Sequence, residues 1–276
     1  GTSAGAIIGS MYAAGYSPEQ MESIVKQEAF IKMSTGEMEM KYKYFFKRPI
    51  VDASWIKLKV SQEFDLNKSL PTNFTNSTML DFNFMIAFSS VSAKANYDFD
   101  NLFIPFRCVS SDIVEKNYHV FRDGNLSQAV RASMTYPGYF KPIKVDGKLM
   151  FDGGLYNNFP SEVMYDEFSP DIIIGVNFSD TMQNPDQDDV ISQIKSMIIH
   201  RDDFTLPCKN GIIITPSFQI GLFDFSSSDR AIKEGYKSTI NLMDSIKLLS
   251  DRRVDKEELH AKRQVFRSDL DELIID

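Results

Sequence analysis

The chain has 276 residues, enough for one large domain or two small ones, and its 43% hydrophobic and 25% charged content is that of an ordinary globular protein, not a disordered or fibrous one. A formal net charge of -8 argues against general nucleic-acid binding, and no apolar run reaches the roughly 18 residues of a membrane-spanning helix. The two cysteines, Cys108 and Cys208, cannot build a disulfide framework, lack metal-ligand spacing and read as buried free thiols. Neither a metal nor a cofactor is expected.

In chain order, residues 6–14 (AIIGSMYAA) predict a helix rich in small residues, stopped by Gly15. Ser17-Pro18-Glu19 predicts the cap of a second helix running to about Val25. Residues 37–105 are irregular, aromatic and Asn/Ser-rich with helical pieces such as MLDFNFMIAF, as in an insertion or lid. FIPFRCVSSDI predicts a buried strand, HVFRDG a short strand ending in a turn, and residues 125–133 a helix broken by Pro137-Gly138. KPIKVDGKLMFDGG predicts a hairpin turning at Asp146-Gly147. DIIIGVNF and GIIITPSF are bounded β-branched runs, as in strands covered on both faces. Helical spacing returns from Asp229 to about Leu249, and residues 251–276 read as a charged helical tail or linker. Strands separated by helices predict an α/β layer fold with a mostly parallel central sheet.

The chain opens on Gly1-Thr2-Ser3-Ala4-Gly5, a match to G-x-S-x-G. A serine hydroxyl is a weak nucleophile and must be held exposed beside a base. A sharp strand-to-helix turn does this: the glycines Gly1 and Gly5 relieve clashes at the turn, and the backbone amide of Ala4 can point at a developing oxyanion. The helix that follows adds its positive N-terminal end. Taken alone, the motif reads equally well as a flexible glycine-rich segment.

Asp152-Gly153-Gly154 changes that reading through its surroundings, AVRASMTYPGYFKPIKVDGKLMFDGGLYNNFP. This stretch, together with the serine motif, resembles the patatin-like phospholipase family, in its bacterial type. That family pairs a G-x-S-x-G serine directly with an aspartate in a D-G-G or D-G-A turn, without histidine. The matching positions are Ser3 and Asp152. Ala129 to Ser133 match its A-V-R-A-S segment, Pro137 to Phe140 its P-G-x-F, FRCVSSDI its central strand and DGGLYNNFP its post-aspartate loop. The resemblance covers residues 1–250 and implies a three-layer α/β/α fold and a serine lipid acyl hydrolase acting on phospholipids or lysophospholipids. Such a carboxylate takes the serine proton during attack on an ester and returns it to the leaving alcohol. Gly153 and Gly154 let backbone pass close to the elbow. The plain alternative is an ordinary D-G-G turn with Asp152 as its cap.

A serine–histidine–acid triad is the rival chemistry. The three histidines are His119, His200 and His260; in the α/β-hydrolase order the histidine follows the acid, which leaves His200 and His260, and neither lies in a Gly-rich loop that would deliver it to the elbow. The family also carries a G-G-G-x-R-G oxyanion loop before the elbow, preceded by the first strand of its sheet. Because the chain starts at the elbow, the expectation is a fragment lacking both. A catalytically silent patatin-fold module that binds lipid or a partner is the alternative function. Segment 41–59 (KYKYFFKRPIVDASWIKLK) suggests peripheral membrane contact: Lys41, Lys43, Lys47 and Arg48 are interleaved with Phe45, Phe46 and Trp55. By analogy with family members that continue into an envelope barrel, a cell-envelope or secreted location is expected, with an intracellular one as the alternative.

Overall fold

A computed structural model describes residues 1–37, 73–178, 204–217, 224–250, 252–268 and 270. Its organising strand is β1 (Cys108–Asp112), buried along its whole length. Along one edge β1 pairs antiparallel with β2 (Asn117–Phe121), from Cys108 opposite Phe121 to Asp112 opposite Asn117. The other edge takes β4 (Lys148–Asp152), itself the second strand of a hairpin with β3 (Ile143–Val145), so the order is β2-β1-β4-β3. The hairpin turns where expected, with Asp146 and Gly147 both at positive φ, 50° and 80°. Two successive left-handed residues make a type I′ turn, whose twist suits the flanking strands. Two further strands, β5 (Ile173–Val176) and β6 (Gly211–Ile214), pair in parallel.

The helices follow their local signals. α1 (Ala4–Ala13) ends at Gly15, which takes the left-handed conformation at φ 84°. α2 (Pro18–Val25) opens on a capping box: the Ser17 hydroxyl accepts from the Gln20 amide, and the Gln20 side chain accepts from the Ser17 amide. α3 (Glu28–Thr35) ends at Gly36. α4 (Thr78–Lys94) runs well beyond the helical piece read from the sequence. α5 (Leu126–Ser133), capped by Asn125, is buried at every position except Gln128. It packs against α1, α4, β1, β3 and β4, which makes it the brace between sheet and helices. α6 (Ser161–Phe168) packs on β5, and α7 (Ser228–Asn241) and α8 (Met243–Leu249) bury none of their residues. α9 (Lys256–Ser268) is mostly exposed, but its Arg263 is buried over the rings of Tyr12 and Phe103, and Arg267 donates to the Ala14 carbonyl at 3.0 Å.

The α/β class holds, but the expected mostly parallel sheet does not among the described residues. The four-stranded sheet is antiparallel throughout, and among the described residues parallel pairing is confined to β5–β6 and to the isolated bridges of Thr2 with Val109 and Asn73 with Gly138. For the β1–β2 and β3–β4 pairs the reason is connection length. Residues 113–116 join β1 to β2, and two residues join β3 to β4, whereas a parallel return needs a crossover of about a dozen residues. A strand buried on both faces reads the same in sequence whichever way its neighbours run. One thiol reading also changes: Cys108 is buried, but Cys208 is only half-buried.

Glycine contacts separate the structural positions from the permissive ones. A Cβ at Gly153 would lie 2.2 Å from the Val109 carbonyl oxygen, a backbone atom that cannot give way, whereas nothing described lies within 4 Å of a Cβ at Gly5. Gly153→Ala is expected to lower unfolding free energy by about 1–3 kcal/mol. Gly5→Ala, inside α1, is expected to be neutral or stabilising by up to about 1 kcal/mol. Urea unfolding of the two variants checks both.

Candidate active site

The site forms where two chain segments meet head-on along one edge of β1. Thr2 pairs in parallel with Val109, and the Val109 amide donates to the Gly1 carbonyl at 3.1 Å. β4 arrives antiparallel from the opposite direction, Met150 facing Asp112 and Asp152 facing Ser110. The segments would collide between Val109 and Ser110, so both leave the sheet there. Ser3 does so at φ 51°, ψ -120°, a conformation costly for a non-glycine residue, and becomes the N-cap of α1. Asp152 does so by entering a single 3-10 turn, Gly153–Leu155. The two exits point their side chains at each other.

Ser3 Oγ donates to Asp152 Oδ2 at 2.7 Å. The other carboxylate oxygen, Oδ1, accepts from the Gly154 amide at 2.8 Å. Thus Asp152 is the turn cap of the plain reading and the partner of Ser3 at once, one oxygen for each. Its backbone is equally constrained: the Asp152 amide donates to the Thr135 carbonyl at 2.8 Å, and Ser111 Oγ donates to the Asp152 carbonyl at 2.8 Å. The post-aspartate loop is tied back by Thr2 Oγ1, which donates to the Asn157 carbonyl at 3.0 Å. Gly1 is required for space, since a Cβ there would lie 2.5 Å from the Gly5 carbonyl oxygen; a Cβ at Gly154 would crowd Asn158 Oδ1 at 2.9 Å. Gly5 meets no such constraint among the described residues. Ala4 is exposed at the start of α1, and its amide has no hydrogen-bond partner among them.

The family model for patatin-like phospholipases matches residues 1–165, which include every element of this arrangement. The chain belongs to the patatin-like phospholipase family. It is 29% identical to human patatin-like phospholipase domain-containing protein 6 over 167 residues, 59% of this chain and 10% of that protein. It is 32% identical to the neuropathy target esterase sws of Drosophila melanogaster over 113 residues, 40% of this chain and 8% of that protein. An uncharacterised NTE-family protein of Mycobacterium bovis is 38% identical over 68 residues, 25% of this chain and 12% of that protein. The chain thus spans about a tenth of the length of these relatives. They come from animals and a mycobacterium, so the likeness does not single out a bacterial type.

Within this patatin-like site the electrostatics are set by burial. Asp152 is 5% exposed, and loss of water pushes its carboxyl up from 3.8 to about 6; the hydrogen bonds from Ser3 and Gly154 pull the other way without overcoming it. Tyr136, half-buried, is likewise shifted up, by burial first and then by the Asp152 charge. His119 lies on β2, opposite Ser110, two strand spacings from Asp152, or roughly 10 Å. His260 is exposed on α9. His200 and the proposed interface residues Lys41, Lys43, Phe45, Phe46, Lys47, Arg48 and Trp55 lie outside the described residues. Sequence reasoning assigned no role to Ser133, Thr135 or Tyr136, although the A-V-R-A-S segment and the residues after it were the signal.

A buried carboxylate with a raised value opposes folding at neutral pH. The unfolded group ionises near 3.8 and the folded one near 6, so on this account stability rises as pH falls from about 6 toward 4. Holding the charge at neutral pH costs about 3 kcal/mol. Asp152→Asn is therefore expected to melt at a higher temperature than the parent at pH 7.5, with the gap shrinking at pH 4.5. Paired thermal melts at the two pH values measure it.

Proposed function

We propose that this chain carries the catalytic centre of a serine lipid acyl hydrolase that cleaves acyl esters of phospholipids or lysophospholipids through an acyl-enzyme. The observation that carries the reading is the 2.7 Å hydrogen bond from Ser3 Oγ to a buried Asp152 carboxylate. Proteins of this family are generally lipid acyl hydrolases acting on lipid substrates, and the match spans both residues.

In the proposed reaction Ser3 Oγ attacks the ester carbonyl carbon while its proton passes to Asp152 Oδ2. The oxygen that gains charge is received by the Ala4 amide at the positive end of α1. Collapse of the intermediate breaks the acyl–oxygen bond, and the departing alcohol takes the proton from Asp152. Water then attacks the acyl-enzyme, giving its proton to the same carboxylate; the fatty acid leaves and Ser3 regains its proton. A base with an acid constant near 6 is ionised at neutral pH yet close enough to it to exchange protons in both directions. Hydrolysis of a p-nitrophenyl ester by the intact protein tests this. Ser3→Ala and Asp152→Asn are expected to remove most turnover, and kcat/KM should fall below about pH 6. Replacing His119, His200 and His260 together by Gln should leave the rate within about tenfold. A loss in that triple variant matching Ser3→Ala would return the triad reading.

The proposal extends to a lipid surface. Segment 41–59 holds six basic residues against one acid and five aromatic rings. The segment lies outside the described residues, so its support is its composition. Each basic group near an anionic bilayer contributes about 1 kcal/mol, screened by salt. Binding to phosphatidylserine vesicles should exceed binding to phosphatidylcholine vesicles and fall with salt. Replacing Lys41, Lys43, Lys47 and Arg48 by Gln should weaken co-sedimentation while sparing hydrolysis of the small ester. Unchanged co-sedimentation would remove this part of the proposal.

A further inference from the structure

The head-on meeting of the two segments leaves a defect in the hydrogen-bond ladder. Val109 turns its amide and carbonyl toward the shared edge: the amide is paired with the Gly1 carbonyl, but its carbonyl faces the gap where the elbow has already left the sheet and β4 has already stopped. Val109 is fully buried, so an unpaired carbonyl there would be costly. On the other side of the gap the Ser3 amide has lost its place in a strand and precedes the first turn of α1. One side chain answers both groups. Ser133, at the end of α5 and fully buried, donates from Oγ to the Val109 carbonyl at 2.6 Å and accepts at the same Oγ from the Ser3 amide at 3.0 Å.

We infer that Ser133 is a positioning residue for the nucleophile, a single hydroxyl that fastens the strained Ser3 backbone to the central strand and thereby aims Ser3 Oγ at Asp152. This rests on the Ser3–Asp152 reading above. The chemistry of the position is restrictive. The group must donate one hydrogen bond and accept another at the same atom, at a position closed to solvent. An alanine leaves a buried donor and a buried acceptor unpaired. A cysteine keeps the approximate shape but offers only a weak donor and a weak acceptor. A threonine keeps the hydroxyl. The neighbouring braces act elsewhere: Thr135 holds the Asp152 amide, and Arg131 pairs with Asp81 while donating to Thr135 Oγ1 at 2.5 Å and to the Lys141 carbonyl at 3.1 Å. From α5 it is Ser133 that hydrogen-bonds the nucleophile's own backbone. With its amide held in this way, Ser3 does not present that amide to substrate, which leaves the Ala4 amide as the donor that α1 supplies.

The test compares Ser133→Ala, Ser133→Cys and Ser133→Thr in the intact protein, beside Ser3→Ala. It measures kcat and KM on a p-nitrophenyl ester and the second-order rate of covalent labelling by a fluorophosphonate, each per folded molecule. Ser133→Ala and Ser133→Cys are expected to lower kcat by about 10–100-fold, to slow labelling in parallel and to keep KM within about threefold. Ser133→Thr should stay closer to the parent than either. A purely structural role predicts fewer folded molecules with unchanged kcat and labelling per folded molecule, and that result overturns the inference. If Ser133→Ala does not fold, Ser133→Cys decides: parental kcat in that variant overturns the inference equally. Turnover that persists in Ser3→Ala would remove the dyad reading itself, whereas an inactive Ser3→Ala beside a fully active Ser133→Ala removes only the role of Ser133.

Discussion

The arrangement depends on one constraint, the sharing of a single edge of β1 by two segments running toward each other. β2 occupies the opposite edge over all five residues of β1, so the elbow segment and β4 have no other place to pair. Where they meet, neither can continue, and both must leave the sheet within one residue of each other. That geometry brings together side chains separated by 149 positions in the chain. It also explains the glycines that matter. Gly153 passes against the Val109 carbonyl and Gly1 against the Gly5 carbonyl, approaches that no Cβ permits.

Convergence of this kind has energetic costs, and they fall on the residues proposed to carry the reaction. Ser3 occupies a left-handed conformation that its side chain disfavours, and Asp152 is an ionisable group with almost no exposure. Neither would persist unless the surroundings over-determined it. The surroundings do so with short, buried hydrogen bonds to β1, to the loop after α5 and to the turn after β4. Strain at Ser3 exposes a hydroxyl, and burial of Asp152 raises its basicity. The features that cost stability are those the proposed chemistry requires, as expected of sites where function and stability compete.

α5 is the element through which the rest of the fold supports this junction. Its buried Arg131 joins α4 and the loop ending at Lys141, its last residue reaches the Ser3 amide, and the loop just beyond it holds the Asp152 amide through Thr135. The helix touches both halves of the pair without belonging to either. Arg131 is 3% exposed and lies over the Phe140 ring, so the brace is anchored in the core rather than at the surface. A flexible linkage at this point would let the two segments separate along β1, since each is held there by only a few pairings.

Much of the local structure was legible in the sequence because its causes are local. Gly15 stops α1, Ser17-Pro18 opens α2, and Asp146-Gly147 turns the hairpin, and each of these acts over a few residues. The pair Ser3 and Asp152 was legible through resemblance, since two short motifs mark them. Strand direction was not: a fully buried strand such as β1 carries the same apolar run whether its neighbours are parallel or antiparallel, and short connections decided it for β1–β2 and β3–β4. Nor was Ser133 legible as anything beyond one member of a motif, because its partners, Ser3 and Val109, come from opposite sides of a gap that exists only once the sheet has assembled. The sequence by itself, through its two short motifs and their surroundings, marked the groups proposed for the chemistry. Tertiary structure alone decided that they meet, because the meeting is imposed by a shared strand edge, a contact between segments far apart in the chain.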